Sequence, residues 1–359
     1  MNSLIDGRSD KMIPSLSGLR AIAIFLVIAS HILVGITTPS WLKTLLYPIA
    51  TGKTGVRLFF VISGFLITWL MLVEKRERGR VNLVRFYIRR FLRIFPVFYF
   101  YVFFVFIMGK ISGYQLAPGV YITALTYTRN FDFWGSNWLL AHSWSLAVEE
   151  QFYLLWPPIV RKIKWYSGYV AIPVLLLGVL CRIIAYRYPD LSRYFLAPFL
   201  QYADFLYGGA YLAYMRMHEP VRLKKILEKI SGILVALGAI MVFALARLEY
   251  HAQFDRIFLP VTGTLLILYF TILIGWTTQP ENQSTWGVRV LNFRWMSFAG
   301  VLSYSLYVWQ QFFLVPGRNL VSGRWWTHFP QNLFLLMASA TLSYFIIEKP
   351  ILKLKNRFH

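Results

Sequence analysis

The sequence predicts an all-α polytopic membrane protein of about ten transmembrane helices with both termini cytoplasmic. Of its 359 residues, 57% are hydrophobic and only 14% charged, too few charges to solvate a globular surface. The apolar residues gather in runs of roughly 17 to 20, the length a helix needs to cross a hydrocarbon core at about 1.5 Å per residue. The remaining charge is lopsided: 37 Lys and Arg against 15 Asp and Glu give a net charge of +22. The basic residues collect in short loops, as positive-inside topology requires.

In chain order the spans fall near 19–37, 55–73, 91–109, 142–159, 167–186, 197–215, 230–247, 257–276, 297–315 and 329–347. The first run resembles a signal peptide only superficially. About 18 residues precede it and no small-x-small cleavage site follows it, so it reads as a retained span. The loop between the second and third spans holds Lys75, Arg76, Arg78, Arg80, Arg85, Arg89, Arg90 and Arg93 and fixes the cytoplasmic side. With that orientation about two thirds of all Lys and Arg fall inside. Topology and attraction to anionic membrane lipids account for the basic excess, so no nucleic-acid partner is expected. A lone Cys181 allows no intrachain disulfide, and no Cys/His spacing suggests a metal. Without repeats or long linkers, 1–359 reads as a single membrane domain with no soluble extension. The longest outside segment, 110–141, contains Trp134 and Trp138, which read as an interfacial aromatic belt or as platforms for sugar rings.

Ionisable side chains inside spans are costly and mark candidate sites. In the first span Arg20 and His31 are eleven residues apart, about 1100° of helical rotation, only about 20° past three turns. They share a face about 16 Å long, as a helix lining a cavity would arrange them. The plain structural alternative is a neutral histidine bonded to a neighbouring backbone carbonyl. The fourth span opens His142-Ser-Trp-Ser-Leu-Ala-Val-Glu149-Glu150. His142, Ser145 or Leu146, and Glu149 share a face, with Glu150 about 100° away. Glu149 is therefore the candidate for holding a catalytic imidazole in one tautomer.

Arg85, Arg89 and Arg93 recur every four residues, with Arg90 beside them, at the cytoplasmic entrance to the third span. Arginine forks suit phosphate oxygens, although headgroup anchoring explains any single one. Arg57 and Asp204 are further buried-charge candidates, and Arg182 is expected to snorkel outward.

Four strings then stand together: Pro14-Ser-Leu-Ser-Gly-Leu-Arg20 (preceded by Ile13), Gly55-Val-Arg-Leu-Phe-Phe-Val-Ile-Ser-Gly64, Arg89-Arg-Phe-Leu-Arg-Ile-Phe-Pro96 and Ser143-Trp-Ser-Leu-Ala-Val-Glu149-Glu-Gln-Phe-Tyr153. With Ser303-Tyr-Ser-Leu-Tyr307 and Ile347-Glu-Lys-Pro350, the chain resembles the acyltransferase-3 family of integral-membrane O-acyltransferases over nearly its whole length, most weakly between about 165 and 295. The resemblance implies ten helices, acetyl-CoA as cytoplasmic acyl donor with no metal, and an acceptor hydroxyl on a cell-surface glycan or lipid-linked sugar in the bacterial inner membrane. It implies His31, Glu149 and Arg20 as catalytic residues, and Arg89, Arg90 and Arg93 as the site for coenzyme A. Ser17 stands where an Asp is usual and Gln310 where a His is usual, so a two-histidine relay through the ninth span is not expected.

On this reading His31, fixed by Glu149, either deprotonates the acceptor hydroxyl or carries the acyl group itself. Arg57, Tyr304 and Tyr307 are candidate oxyanion or acceptor contacts. Two alternatives stay open: a proton-coupled exporter of a lipid-linked sugar or anionic solute, and acylation of a small hydroxylated molecule. Transport would be favoured by matching broken helices in two halves, which the sequence lacks. Activity on added small molecules without membrane-bound glycan would identify the last.

Overall fold

A computed structural model describes residues 14–131, 134–135, 137–162, 171–188, 198–250, 255–317, 321 and 323–355. Ile13 of the first motif and the beginnings of the fifth and sixth expected spans, 167–170 and 197, lie outside these residues. In chain order the helices are α1 (Pro14–Val34), α2 (Ser40–Leu46), α3 (Gly52–Arg78), α4 (Leu83–Ser112), α5 (Pro118–Leu125), α6 (Trp138–Ala141), α7 (Ser143–Lys162) and α8 (Ala171–Arg187). There follow α9 (Pro198–His218), α10 (Pro220–Leu227), α11 (Gly232–Tyr250), α12 (Asp255–Thr277), α13 (Trp286–Leu291), α14 (Arg294–Phe313), α15 (Gln331–Ser343) and α16 (Lys349–Lys355). Among the described residues there is no strand, only an isolated bridge between Gly35 and Pro316.

A helix overlaps each of the ten apolar runs. Among the described residues, four segments are long and apolar enough to cross a membrane on their own: Ser15–Val34, Gly52–Arg78, Leu83–Ser112 and Gln331–Leu354. Pro220–Leu227 and Gly232–Leu248, bent by 80°, would make a fifth if they form one broken span. Several of the other helices carry polar residues that the protein itself buries, such as His142 and Ser145 near the start of α7 and Gln310 and Gln311 in α14.

α1 lies against α3 and α14, and α3 lies against α9. These close pairings rest on small residues, which let backbones approach where lipid offers no hydrophobic drive to associate. A Cβ on Gly64 of α3 would strike the Leu206 carbonyl of α9, and one on Gly209 of α9 would strike the Val61 carbonyl of α3. Gly300 of α14 is pressed in the same way onto the Ser17 carbonyl of α1. Around these contacts Phe60, Phe65, Phe98, Tyr101 and Phe205 are fully buried.

Local signals set the helix ends near the site. α3 stops at Gly79, whose φ of 72° is left-handed backbone that glycine adopts without strain. α4 starts at Asn82, whose side chain accepts from the Arg85 N–H at 3.1 Å. Between α15 and α16 the chain makes a π-helical turn, Tyr344–Glu348, of the kind often found at functional positions. It delivers Glu348 into the interior, where its Oε2 accepts from Ser305 Oγ at 3.0 Å.

Candidate active site

Two polar levels are stacked along α1. The lower is built around Arg20, which lies within electrostatic reach of Arg93 from α4, Glu149 and Tyr153 from α7, and Glu348 from the π turn. Glu149 Oε1 accepts from Ser63 Oγ of α3 at 2.8 Å. Arg90 lays its guanidinium over the Tyr153 ring at 5.0 Å and over Phe86 at 5.9 Å, and both carboxylates of α7 are within its electrostatic reach. Glu150, expected to point away, is also drawn inward: its Oε1 is buried without a hydrogen bond among the described residues.

Of the three arginines expected to hold coenzyme A, Arg89 is already engaged within the protein. Arg89 is bound to Glu74 of α3 at 3.2 Å, and that carboxylate also accepts from the Asn82 N–H at 2.9 Å. Helical spacing alone puts Arg89 on the face of Arg93. An acid at the end of the preceding helix captures it and ties the α3–α4 turn together.

The upper level holds His31. Its Nδ1 is hydrogen-bonded to Gln310 Oε1 of α14, and its ring stands edge-on to Trp138 with centroids 5.0 Å apart. No hydrogen bond engages the other ring nitrogen, Nε2, among the described residues. Glu149, expected to fix this imidazole, is not hydrogen-bonded to it: the Glu149 carboxylate is engaged by Ser63, and His31 Nδ1 by Gln310. Gln310, the residue that breaks the family pattern, takes that place. Trp138, expected in an interfacial belt, instead flanks His31 and donates its indole N–H to the Leu314 carbonyl at 3.1 Å.

A second imidazole stands beside the first. His142, 3% exposed, is within electrostatic reach of His31. Gln311 Oε1 accepts both from the His142 backbone N–H at 2.8 Å and from Nδ1 at 2.7 Å. Tyr307 donates to the His142 carbonyl at 3.1 Å and meets Ser145 Oγ at 2.6 Å, while Tyr304 donates to the Ile94 carbonyl at 2.6 Å. Both tyrosine hydroxyls are thus occupied by helix-to-helix bonds, which does not suit them to oxyanion duty.

Arg57 and Asp204 belong elsewhere. Asp204 is fully buried in α9 and paired with Arg182 of α8, so Arg182 is an interior ion-pair partner and does not snorkel. Arg57 lies over the Phe205 ring at 5.7 Å and within electrostatic reach of Asp204. The sequence reading missed Gln310 and Gln311 as imidazole partners, Ser63, and Glu348 as a buried acid. Two adjacent amides in a span are themselves a signal, since each must find a partner out of lipid.

A family model described as an acyltransferase domain (acyltransferase family 3) matches residues 13–348. The chain belongs to the acyltransferase-3 family. Among curated proteins, this acyltransferase-3 chain is similar to the peptidoglycan O-acetyltransferase OatA of Listeria monocytogenes, with 28% identity over 96% of this chain and 56% of the relative. It is similar at 27% to the putative peptidoglycan O-acetyltransferase YrhL of Bacillus subtilis, over 95% of this chain and 55% of the relative. A putative O-acetyltransferase of Staphylococcus aureus is 28% identical over 96% of this chain and 58% of its own length. The chain thus spans little more than half the length of these relatives. No solved structure matches it.

Proposed function

We propose that this acyltransferase-3 chain is a multi-pass O-acetyltransferase of the bacterial cytoplasmic membrane that moves an acyl group from cytoplasmic acyl-CoA to a hydroxyl of a cell-surface glycan. Ten spans with both termini cytoplasmic put the Arg90 and Arg93 end on the side of the donor. The names of OatA and YrhL support acetyl as the group and peptidoglycan as the acceptor class. One observation carries the reading: His31 has one ring nitrogen held and the other open, at the head of the stripe that starts at Arg20 among arginines and carboxylates.

On this reading Arg90 and Arg93 hold the phosphates of coenzyme A, a task that forked, delocalised cations perform well. The pantetheine arm runs along α1 past Arg20 and brings the thioester to His31. There Nε2 takes the proton of the acceptor hydroxyl as its oxygen adds to the thioester carbonyl. The carbon–sulfur bond breaks, and the proton passes from His31 to the leaving thiolate.

The test uses detergent-purified protein with acetyl-CoA, then proteoliposomes supplied with peptidoglycan fragments. Acetyl-CoA should bind, an Arg90→Ala/Arg93→Ala variant should bind it more weakly, and His31→Ala should bind it normally yet transfer at least about 10²-fold more slowly. Folded protein that does not bind acetyl-CoA would overturn the reading in favour of transport. Wild-type transfer by His31→Ala would remove the imidazole from the mechanism.

A further inference from the structure

The upper level contains a feature that acyl transfer by His31 does not by itself require. Two consecutive residues of α14, Gln310 and Gln311, each place an amide oxygen on Nδ1 of a different histidine, His31 on α1 and His142 on α7. Consecutive helical residues point about 100° apart, so one turn of α14 is wedged between two helices and addresses both.

At Gln311 the polarity is fixed by chemistry. Its Oε1 also accepts from the His142 backbone N–H, and a backbone nitrogen only donates. The amide therefore presents oxygen, the His142 proton sits on Nδ1, and Nε2 is left without one. That Nε2 is buried with no hydrogen bond among the described residues. The two hydrogen bonds that Gln311 accepts from His142 also fix how α14 is rotated against α7, and so where the neighbouring Gln310 points. Gln310 then presents its own oxygen to His31, while its Nε2 is buried and unpartnered among the described residues. Leaving a buried amide N–H unmade costs about 1–3 kcal/mol, a cost that leucine at this position would avoid.

We infer that Gln310 is a positioning residue that locks His31 as the Nδ1–H tautomer, with Gln311 as the buttress that aims it, so that the open Nε2 is the reactive atom. The inference rests on the proposed role of His31 but names which nitrogen acts and what selects it. It also explains how this chain works with Gln at 310 and with Glu149 engaged by Ser63. A neutral acceptor sets the tautomer without adding the charge a carboxylate would bring.

The tautomer is readable without any activity. In protein labelled with 15N-histidine, nitrogen shifts and two-bond couplings distinguish Nδ1–H from Nε2–H, and His31→Gln assigns the signal. The expected result is a single Nδ1–H tautomer for His31 in the wild type. In Gln310→Leu it should give way to a mixture, with kcat down about 10–100-fold at unchanged KM for the donor. Gln310→Glu keeps an oxygen at Nδ1 and should keep the tautomer. Its carboxylate makes the imidazole more basic, so the acidic limb of the kcat/KM profile should move to higher pH. The titratable group already within electrostatic reach of His31 is His142, which stays the same in all these proteins.

An Nε2–H tautomer for His31 in the wild type overturns the inference, as does Gln310→Leu with unaltered tautomer and kcat. If Gln310→Leu does not fold, the wild-type spectrum and the Gln310→Glu profile decide. A wild type that shows the expected tautomer but transfers no acyl group would count against the proposed function and leave the lock intact.

Discussion

Arg182 and Asp204 meet in a closed contact between α8 and α9, whereas His31 keeps one ring nitrogen open between α1 and α14. The ion pair is boxed in by backbone: a Cβ on Gly178 would strike the Asp204 carboxylate, and one on Gly263 would strike the Arg182 guanidinium. Glycine at both positions gives the charges room. Around Arg20 the acids and bases come from α1, α4, α7 and the π turn, and hold one another at a distance without a direct salt bridge between Arg20 and Glu149. Burial alone therefore does not mark a site. Charges paired directly with each other hold helices together, while groups that lack such an ion-pair partner are available to a substrate.

The largest effect that would test this contrast is on activity. His31→Ala should lower acyl transfer by about 10²–10⁴-fold, the usual worth of a general base, and cost no more than the about 1–3 kcal/mol of the Gln310 oxygen it leaves unpartnered. Transfer measured in proteoliposomes beside a detergent melting curve checks it. A destabilised His31→Ala whose folded fraction still transfers at the wild-type rate would place the imidazole with Arg182 and Asp204 as a structural group.

Removing one partner of the closed pair should show the reverse pattern. Asp204→Ala leaves Arg182 buried without its carboxylate and should cost about 3–5 kcal/mol of stability, while the folded fraction keeps its donor affinity. Replacing both partners with Arg182→Met/Asp204→Leu should recover much of that loss. If the double variant is folded but does not transfer, the pair belongs to the chemistry after all.

How much of this was legible in the sequence follows from the range over which each signal acts. Apolar run length identified an all-helical membrane chain, because that signal is local. Helical periodicity put Arg20 and His31 on one stripe, because both lie on α1. Neither reaches across helices. Gln310 is 279 residues from His31, and Glu74 is 15 residues from Arg89 across a turn, so both partnerships needed tertiary structure. Run length also overstated which segments are apolar enough to cross a membrane by themselves, since helices such as α7 and α14 hide polar side chains within the bundle.

The arginine register gives a smaller and sharper effect. Arg93→Ala and Arg90→Ala should each weaken acetyl-CoA binding by about 10–150-fold, as expected for one lost charge-assisted contact of roughly 1.5–3 kcal/mol. Arg89→Ala should leave binding unchanged and loosen only the α3–α4 turn, because its charge is already spent on Glu74. Calorimetry on the three single variants checks the order. Equal losses in all three would restore the three-arginine clamp and mean that donor binding frees Arg89 from Glu74.

The smallest effect comes from an ion pair that matches Arg182 and Asp204 in kind but not in setting. Lys224 of α10 meets Glu281 at 2.6 Å, and both side chains are 51% exposed. The contact holds the Glu281 carboxyl below its ordinary value of 4.5 and raises the Lys224 amine above 10.5. A depressed carboxyl contributes stability above its unfolded value and loses it as pH falls through the folded one; a raised amine contributes below its unfolded value and loses it as pH rises through the folded one. Between those limits both contributions are present, yet water and salt screen them at such exposure. Lys224→Met should therefore melt with the wild type at pH 7, at low and high salt alike. A salt-sensitive loss approaching that of Asp204→Ala would show that contact geometry, and not burial, sets what an ion pair is worth in this bundle.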